Sequence, residues 1–135
     1  TAVLLGDLAF LHDLGGLEAA CQLRANLTAV VVHNGGGGIF EHLPIAEHPT
    51  AFERFFITER AASISALCGA MGARHRLVEE LAEFPQIVRR ELEEAGPSVI
   101  EVRVPRSASL ELHRKLWVAV GRGLEQLKVD GRRAW

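Results

Sequence analysis

The sequence is short of cysteine: Cys21 and Cys68 are the only two among 135 residues. Both stand among apolar neighbours, which excludes a cystine framework and points to reduced, buried thiols of a cytoplasmic protein. An excess of one charge is missing too. Fifteen Lys+Arg stand against seventeen Asp+Glu, a net charge of −2, so no global pull toward nucleic acid or an anionic membrane exists. No apolar run approaches the ~18 residues of a membrane span, and no secretory apolar core opens the chain. Histidines number six, yet no pair has tight zinc-ligand spacing and no cysteine pair joins them. Repeats and low-complexity segments are absent. Methionine is absent at position 1, where Thr1 leads directly into an apolar run. We therefore expect a piece of a longer protein.

What is present suits one soluble domain. Apolar residues make up 48% and charged residues 24%, and this length can bury a single sizeable core. Ala2–Leu5 reads as a buried strand closed by Gly6-Asp7, with Asp7 as N-cap of a helix. Leu8, Leu11, Leu14, Leu17 and Cys21 recur at helical spacing, and Gly15-Gly16 is where that helix is expected to break. Leu27–Val32 is a continuous apolar strand of the kind parallel sheets bury on both faces. One helical turn over 39–43 precedes Pro44, and Phe52, Phe55 and Phe56 form an apolar helical face. A helix over 61–71 ends at Gly72, and 73–75 reads as a short strand. Leu77, Leu81, Phe84, Val88 and Leu92 form a helical stripe that Pro85 splits. Ser98–Val104 alternates as a strand, with Ile100, Val102 and Val104 on one side and Glu101 and Arg103 on the other. The last helix spans 108–127. Strands alternating with helices predict a three-layer α/β/α domain with a mainly parallel sheet.

In such sheets ligands bind at the carboxyl ends of strands. Two ends carry suitable groups: Gly6-Asp7, and His33-Asn34 followed by four glycines, Gly35–Gly38. A carboxylate, an amide oxygen and a backbone carbonyl form an all-oxygen set suited to Mg²⁺, whose other ligands are usually water and phosphate oxygens. The glycines allow positive φ and close approach, and the helix after Asp7 would offer donors to a phosphate. The glycine run matches neither the P-loop, lacking Gly-Lys-Ser/Thr, nor the dinucleotide pattern, because Phe40 stands where a third glycine is needed. These residues alone leave two readings open, a metal-bridged diphosphate site and an N-cap beside a flexible turn.

The stretches Gly6-Asp7-Leu8-Ala9-Phe10-Leu11-His12-Asp13-Leu14 and Asn34-Gly35-Gly36-Gly37-Gly38-Ile39-Phe40-Glu41-His42-Leu43-Pro44 narrow the choice. They resemble the cofactor-binding half of thiamine-diphosphate enzymes. Within that family they are similar to the 2-succinyl-5-enolpyruvyl-6-hydroxy-3-cyclohexene-1-carboxylate synthases of menaquinone biosynthesis. Arg106 and His113 stand where that branch has a similar Arg and His. His33 departs from it, standing where Asn is more frequent, and residues 56–60 match only loosely.

The resemblance implies the thiamine-diphosphate-binding fold over residues 1–135, as the C-terminal, diphosphate-binding part of a cytoplasmic transferase. It implies Asp7, Asn34 and the Gly36 carbonyl as ligands of Mg²⁺ or Mn²⁺. Gly6, Asp7, Leu8, Asn34, Gly36, Gly37 and Ile39 would bind thiamine diphosphate, and Ile39, Phe40 and Leu43 would wall the substrate. The family reaction decarboxylates 2-oxoglutarate and adds the resulting succinyl carbanion to isochorismate. The activating Glu belongs to an N-terminal domain that this chain lacks, so no catalytic residue is expected here and the isolated fragment is expected to be inactive. A homodimer or dimer of dimers is implied. Other thiamine-diphosphate decarboxylases or carboligases, or a non-catalytic α/β module binding another phosphate ligand, are the alternative readings.

The other candidates have plainer roles. Cys21 and Cys68 read as core. The histidines apart from His33 read as surface or capping residues, with His33 near the cofactor. The phenylalanine cluster reads as core or interface rather than a base-stacking platform. Glu79, Glu80, Arg89, Arg90, Glu91, Glu93 and Glu94 read as one solvated helix face.

Overall fold

The computed structural model describes residues 1–57 and 62–129. Four strands form one sheet in the order β1-β2-β4-β3, every neighbouring pair parallel. They are β1 (Ala2–Gly6), β2 (Thr28–His33), β3 (Arg74–Val78) and β4 (Ser98–Arg103). The expected three-layer α/β architecture is therefore present. The chain divides into two compact units, Thr1–Val104 and Pro105–Trp135.

The first unit holds the sheet. Helices α1 (Asp7–His12), α2 (Leu14–Gln22) and α4 (Ile64–Met71) supply a core of Phe10, Leu17, Ile64 and Cys68. These pack with Ala29, Val31 and Val99 of the strands. In parallel strands alternate residues face one side, so Glu101 shares the Val99 face of β4. Helix α5 (Phe84–Glu93) covers the other face, where Thr28 Oγ1 donates to the Glu91 carbonyl at 3.2 Å. Between β2 and α4 run two 3₁₀ turns, Gly38–His42 and Pro44–Glu47, and α3 (Pro49–Phe55). The second unit contains α6 (Arg106–Val129). There His113 Nδ1 donates to the Ser109 carbonyl at 2.9 Å, and Glu111 pairs with Lys115 at 2.6 Å.

Four sequence expectations change. The first helical segment breaks at Asp13, not at Gly15-Gly16. The Asp13 side chain accepts from the Gly16 amide at 3.2 Å and so caps α2. Asp7 is the first residue of α1 rather than its N-cap, which is Gly6. Strand β3 runs to Val78, which takes Leu77 out of the helical stripe. Its polar sequence hides it: Arg74 and Arg76 bind Glu91 through their Nε atoms at 3.1 and 3.0 Å. Glu91 is consequently not solvated but 1% exposed. Burial works to raise its carboxyl, and the two guanidinium groups outweigh that, leaving it below the usual carboxylate range.

Other expectations hold. Pro85 sits in the first turn of α5, and Gly72 ends α4 with φ 80°. Cys68 is fully buried, and burial foremost pushes its thiol up to about 11. Phe52 is buried and Phe55 exposed. The expected helix start at residue 61, and residues 58–60 of the loosely matching stretch, lie outside the described residues.

Candidate metal and diphosphate site

The parallel register sets Gly6 of β1 beside Val32 of β2. The chain continues from that level into Asp7, the first residue of α1, and into His33 and Asn34 at the end of β2, so all three emerge together at the carboxyl edge of the sheet. Asp7 is 6% exposed. Its Oδ1 accepts from the Leu8 amide and its Oδ2 from the Gly36 amide, each at 2.8 Å. Asn34 Oδ1 accepts from the same Gly36 amide at 3.1 Å. Two side-chain oxygens from different strand ends thus converge on one backbone N–H.

The glycine loop makes this convergence possible. Gly35, Gly36 and Gly37 have φ of 82°, 82° and 60°, the left-handed region that side-chain-bearing residues populate at a cost. At Gly37 the crowding is severe, because a Cβ would lie 2.3 Å from the Phe56 carbonyl oxygen. At Gly38 a Cβ would lie 2.7 Å from Asn34 Nδ2. The loop is thereby pressed against both Asn34 and the segment after α3.

The donor set fits a hard divalent cation. The side chains it brings together offer a carboxylate and an amide oxygen, hard donors of the kind such a cation takes. Asp7, Leu8, Leu11, His33, Gly35, Gly36 and Ile64 are among the residues lining a recess of about 10 Å³, the scale of one small ion or water. Among the described residues no group of three His, Cys, Asp or Glu side chains could hold a metal. Helix α1 has only six residues, and the Leu8 N–H is already engaged by Asp7.

Of the apolar wall, Ile39 is 75% exposed and Leu43 is also exposed. Phe40 meets Phe56 edge-on at 5.5 Å between centroids, and Phe56 stacks on Phe52 at 6.2 Å. Phe40 is therefore anchored, through Phe56, to the buried Phe52. Arg106 and His113 lie in the second unit.

One cluster lay hidden in the sequence. Glu101 of β4 is 1% exposed. Its Oε1 accepts from His33 Nδ1 and from Arg103 Nε, both at 2.8 Å, and its Oε2 accepts from His75 Nε2 at 2.9 Å. Burial works to raise this carboxyl, but the three donors outweigh it and hold it at about 2. The other edge of the His33 ring faces Asp7, with Nε2 3.8 Å from Oδ2. His33 is thus beside the site, as expected, but His75 is not the surface residue its isolation suggests. The one local partner of Glu101, Arg103, is two residues away on the same strand face, but the two histidines that reveal its role are 26 and 68 residues away in the chain.

Comparison with known proteins now bears on this site. Residues 1–102 match the family described as thiamine pyrophosphate enzyme, C-terminal TPP binding domain. The 2-succinyl-5-enolpyruvyl-6-hydroxy-3-cyclohexene-1-carboxylate synthase of Geobacillus kaustophilus (strain HTA426) is 42% identical over 120 residues, covering 89% of this chain and 21% of that protein. The enzyme of the same name from Synechococcus sp. (strain JA-3-3Ab) is 44% identical over 117 residues, covering 87% and 19%. The chain spans about a fifth of the length of these curated relatives. The crystal structure of benzoylformate decarboxylase from Polynucleobacter necessarius superposes with a TM-score of 0.66 at 27% identity, over 78% of this chain and 19% of that one. The chain belongs to the thiamine pyrophosphate enzymes and carries their C-terminal, TPP-binding domain.

Proposed function

We propose that residues 1–135 are the diphosphate- and cation-binding part of a 2-succinyl-5-enolpyruvyl-6-hydroxy-3-cyclohexene-1-carboxylate synthase. In this reading the whole protein is a cytoplasmic transferase of menaquinone biosynthesis. It releases carbon dioxide from 2-oxoglutarate and joins the remaining succinyl unit to isochorismate. The observation that carries the reading is the convergence of Asp7 and Asn34 on the Gly36 amide. The 42–44% identity to synthases of that name supports it over a benzoylformate-type decarboxylase at 27%.

Thiamine diphosphate, when bound, supplies the electron sink for decarboxylation and carbon–carbon bond formation. The chain's own residues bind and orient. Asp7 and Asn34 through side-chain oxygens, and Gly36 through its carbonyl, would hold Mg²⁺ or Mn²⁺, which would neutralise the diphosphate. Gly6, Leu8, Gly37 and Ile39 approach the cofactor. Ile39, Phe40 and Leu43 would wall the substrate and exclude water once the site is complete, with Phe40 held in place by Phe56. No residue of this chain serves as the activating base. That carboxylate comes from an N-terminal domain, and the site is completed in a dimer or a dimer of dimers.

A product assay tests the substrates. The full-length enzyme given 2-oxoglutarate, isochorismate, thiamine diphosphate and Mg²⁺ is expected to release carbon dioxide and form the succinylated cyclohexene product. Decarboxylation of 2-oxoglutarate with isochorismate left unconsumed would replace this reading with another decarboxylase or carboligase of the same family.

A further inference from the structure

Glu101 is an expensive residue for its position. It lies on the sheet face that otherwise buries Ala29, Val31 and Val99, and taking a carboxylate out of water carries a desolvation penalty that apolar neighbours on that face do not incur. An apolar side chain would serve that core at least as well. The charge is nonetheless fully satisfied, by His33, His75 and Arg103. His33 is the partner that leads to the site. With Nδ1–H donated to Glu101, the ring cannot rotate about its Cβ–Cγ bond without giving up a hydrogen bond to a buried ion. Its Nε2 edge is thereby kept 3.8 Å from Asp7 Oδ2, where His33 and Asp7 together line the small recess.

We propose that Glu101 is a positioning residue: through His33 it fixes the wall of the recess against Asp7 and so sets the affinity of this site for its divalent cation. The inference rests on the reading of Asp7 as a cation ligand. A carboxylate that holds a metal-ligating histidine in place is worth roughly 10–100-fold in metal affinity; His33 stands beside a ligand rather than on the ion, so the low end of that range is expected.

The test uses the full-length enzyme with thiamine diphosphate at one fixed concentration, titrating Mg²⁺ by calorimetry and recording the unfolding midpoint of each apo variant. Glu101→Gln and His33→Ala are each expected to weaken Mg²⁺ roughly tenfold. The double variant is expected to be no weaker than the worse single one, because both act along one path. Glu91→Gln, a buried carboxylate on the opposite face, is expected to lower the unfolding midpoint while leaving Mg²⁺ affinity within about twofold, since it shares no partner with the site. Should Glu101→Gln fail to fold, His33→Ala alone decides, its ring being part-exposed. Unchanged Mg²⁺ affinity in His33→Ala overturns the proposal, as does an additive double variant. Asp7→Ala separates the two levels of inference. If it too leaves Mg²⁺ affinity unchanged, the cation site itself is wrong and the proposal falls with it. If it abolishes binding while the Glu101 and His33 variants bind normally, only the positioning role is wrong.

Discussion

Two glycines in the same loop, Gly35 and Gly37, offer a controlled perturbation. Both have positive φ, 82° and 60°, so alanine at either meets backbone strain of about 1–2 kcal/mol. They differ in what surrounds them. A Cβ at Gly35 has nothing within 4 Å, whereas a Cβ at Gly37 would lie 2.3 Å from the Phe56 carbonyl oxygen and 3.1 Å from Ile57 Cα. Those neighbours are backbone, which cannot swing aside as a side chain can. Forcing them apart adds an overpacking cost of about 1–3 kcal/mol. Gly37→Ala is therefore expected to destabilise by roughly 2–5 kcal/mol and Gly35→Ala by roughly 1–2 kcal/mol. The displaced loop also carries the Gly36 amide that joins Asp7 to Asn34, so cofactor affinity should fall further in Gly37→Ala than in Gly35→Ala. Urea unfolding of both variants, with thiamine diphosphate titrations on the full-length enzyme, reads both effects. If Gly37→Ala is no more harmful than Gly35→Ala in either measurement, the packing of this loop on the Phe56 backbone is not what shapes the site.

The same geometry sets three further outcomes. Because the folded-state carboxyl of Glu101 is held at about 2 against an ordinary 4.5, its contribution to stability is complete above about pH 4.5. It is lost as pH falls from there toward 2, and amounts to roughly 3 kcal/mol; denaturant melts at pH 6 and pH 3 should show a shallower acid loss in Glu101→Gln than in wild type. Cys68 is fully buried with its thiol at about 11, so a thiol reagent at pH 8 should modify the part-exposed Cys21 while Cys68 reacts only on unfolding, as counted by mass spectrometry. The isolated 135-residue chain should release no carbon dioxide from 2-oxoglutarate, since it lacks the activating base; measurable turnover would place that base on this chain.

The site was readable in the sequence because its parts are local. Gly6-Asp7 and Asn34 with its glycines each end an apolar strand, and a parallel sheet sets the ends of β1 and β2 side by side. Apolar continuity marked β1 and β2 and alternation marked β4, although β1, expected to be buried, is an edge strand with Leu4 71% exposed in this chain. Strand β3 escaped because its inward needs are met by ion pairs. Arg74, His75 and Arg76 bind Glu91 and Glu101, so this edge strand looks polar. The same long-range pairing hid Glu91 and Glu101, since a carboxylate in a sequence reads as solvated until the partners that satisfy it are known. The helix break moved from Gly15-Gly16 to Asp13 because a cap, not a low propensity, ends the segment there.

The central claim is that Asp7 and Asn34 form one cation site serving a diphosphate. The most direct measurement is calorimetric titration of thiamine diphosphate into the full-length enzyme with Mg²⁺ and with excess chelator, in wild type and in Asp7→Ala. Mg²⁺-dependent binding in wild type, lost in Asp7→Ala and in chelator alike, is the predicted result. Equal affinity in wild type and Asp7→Ala with Mg²⁺ present would contradict it.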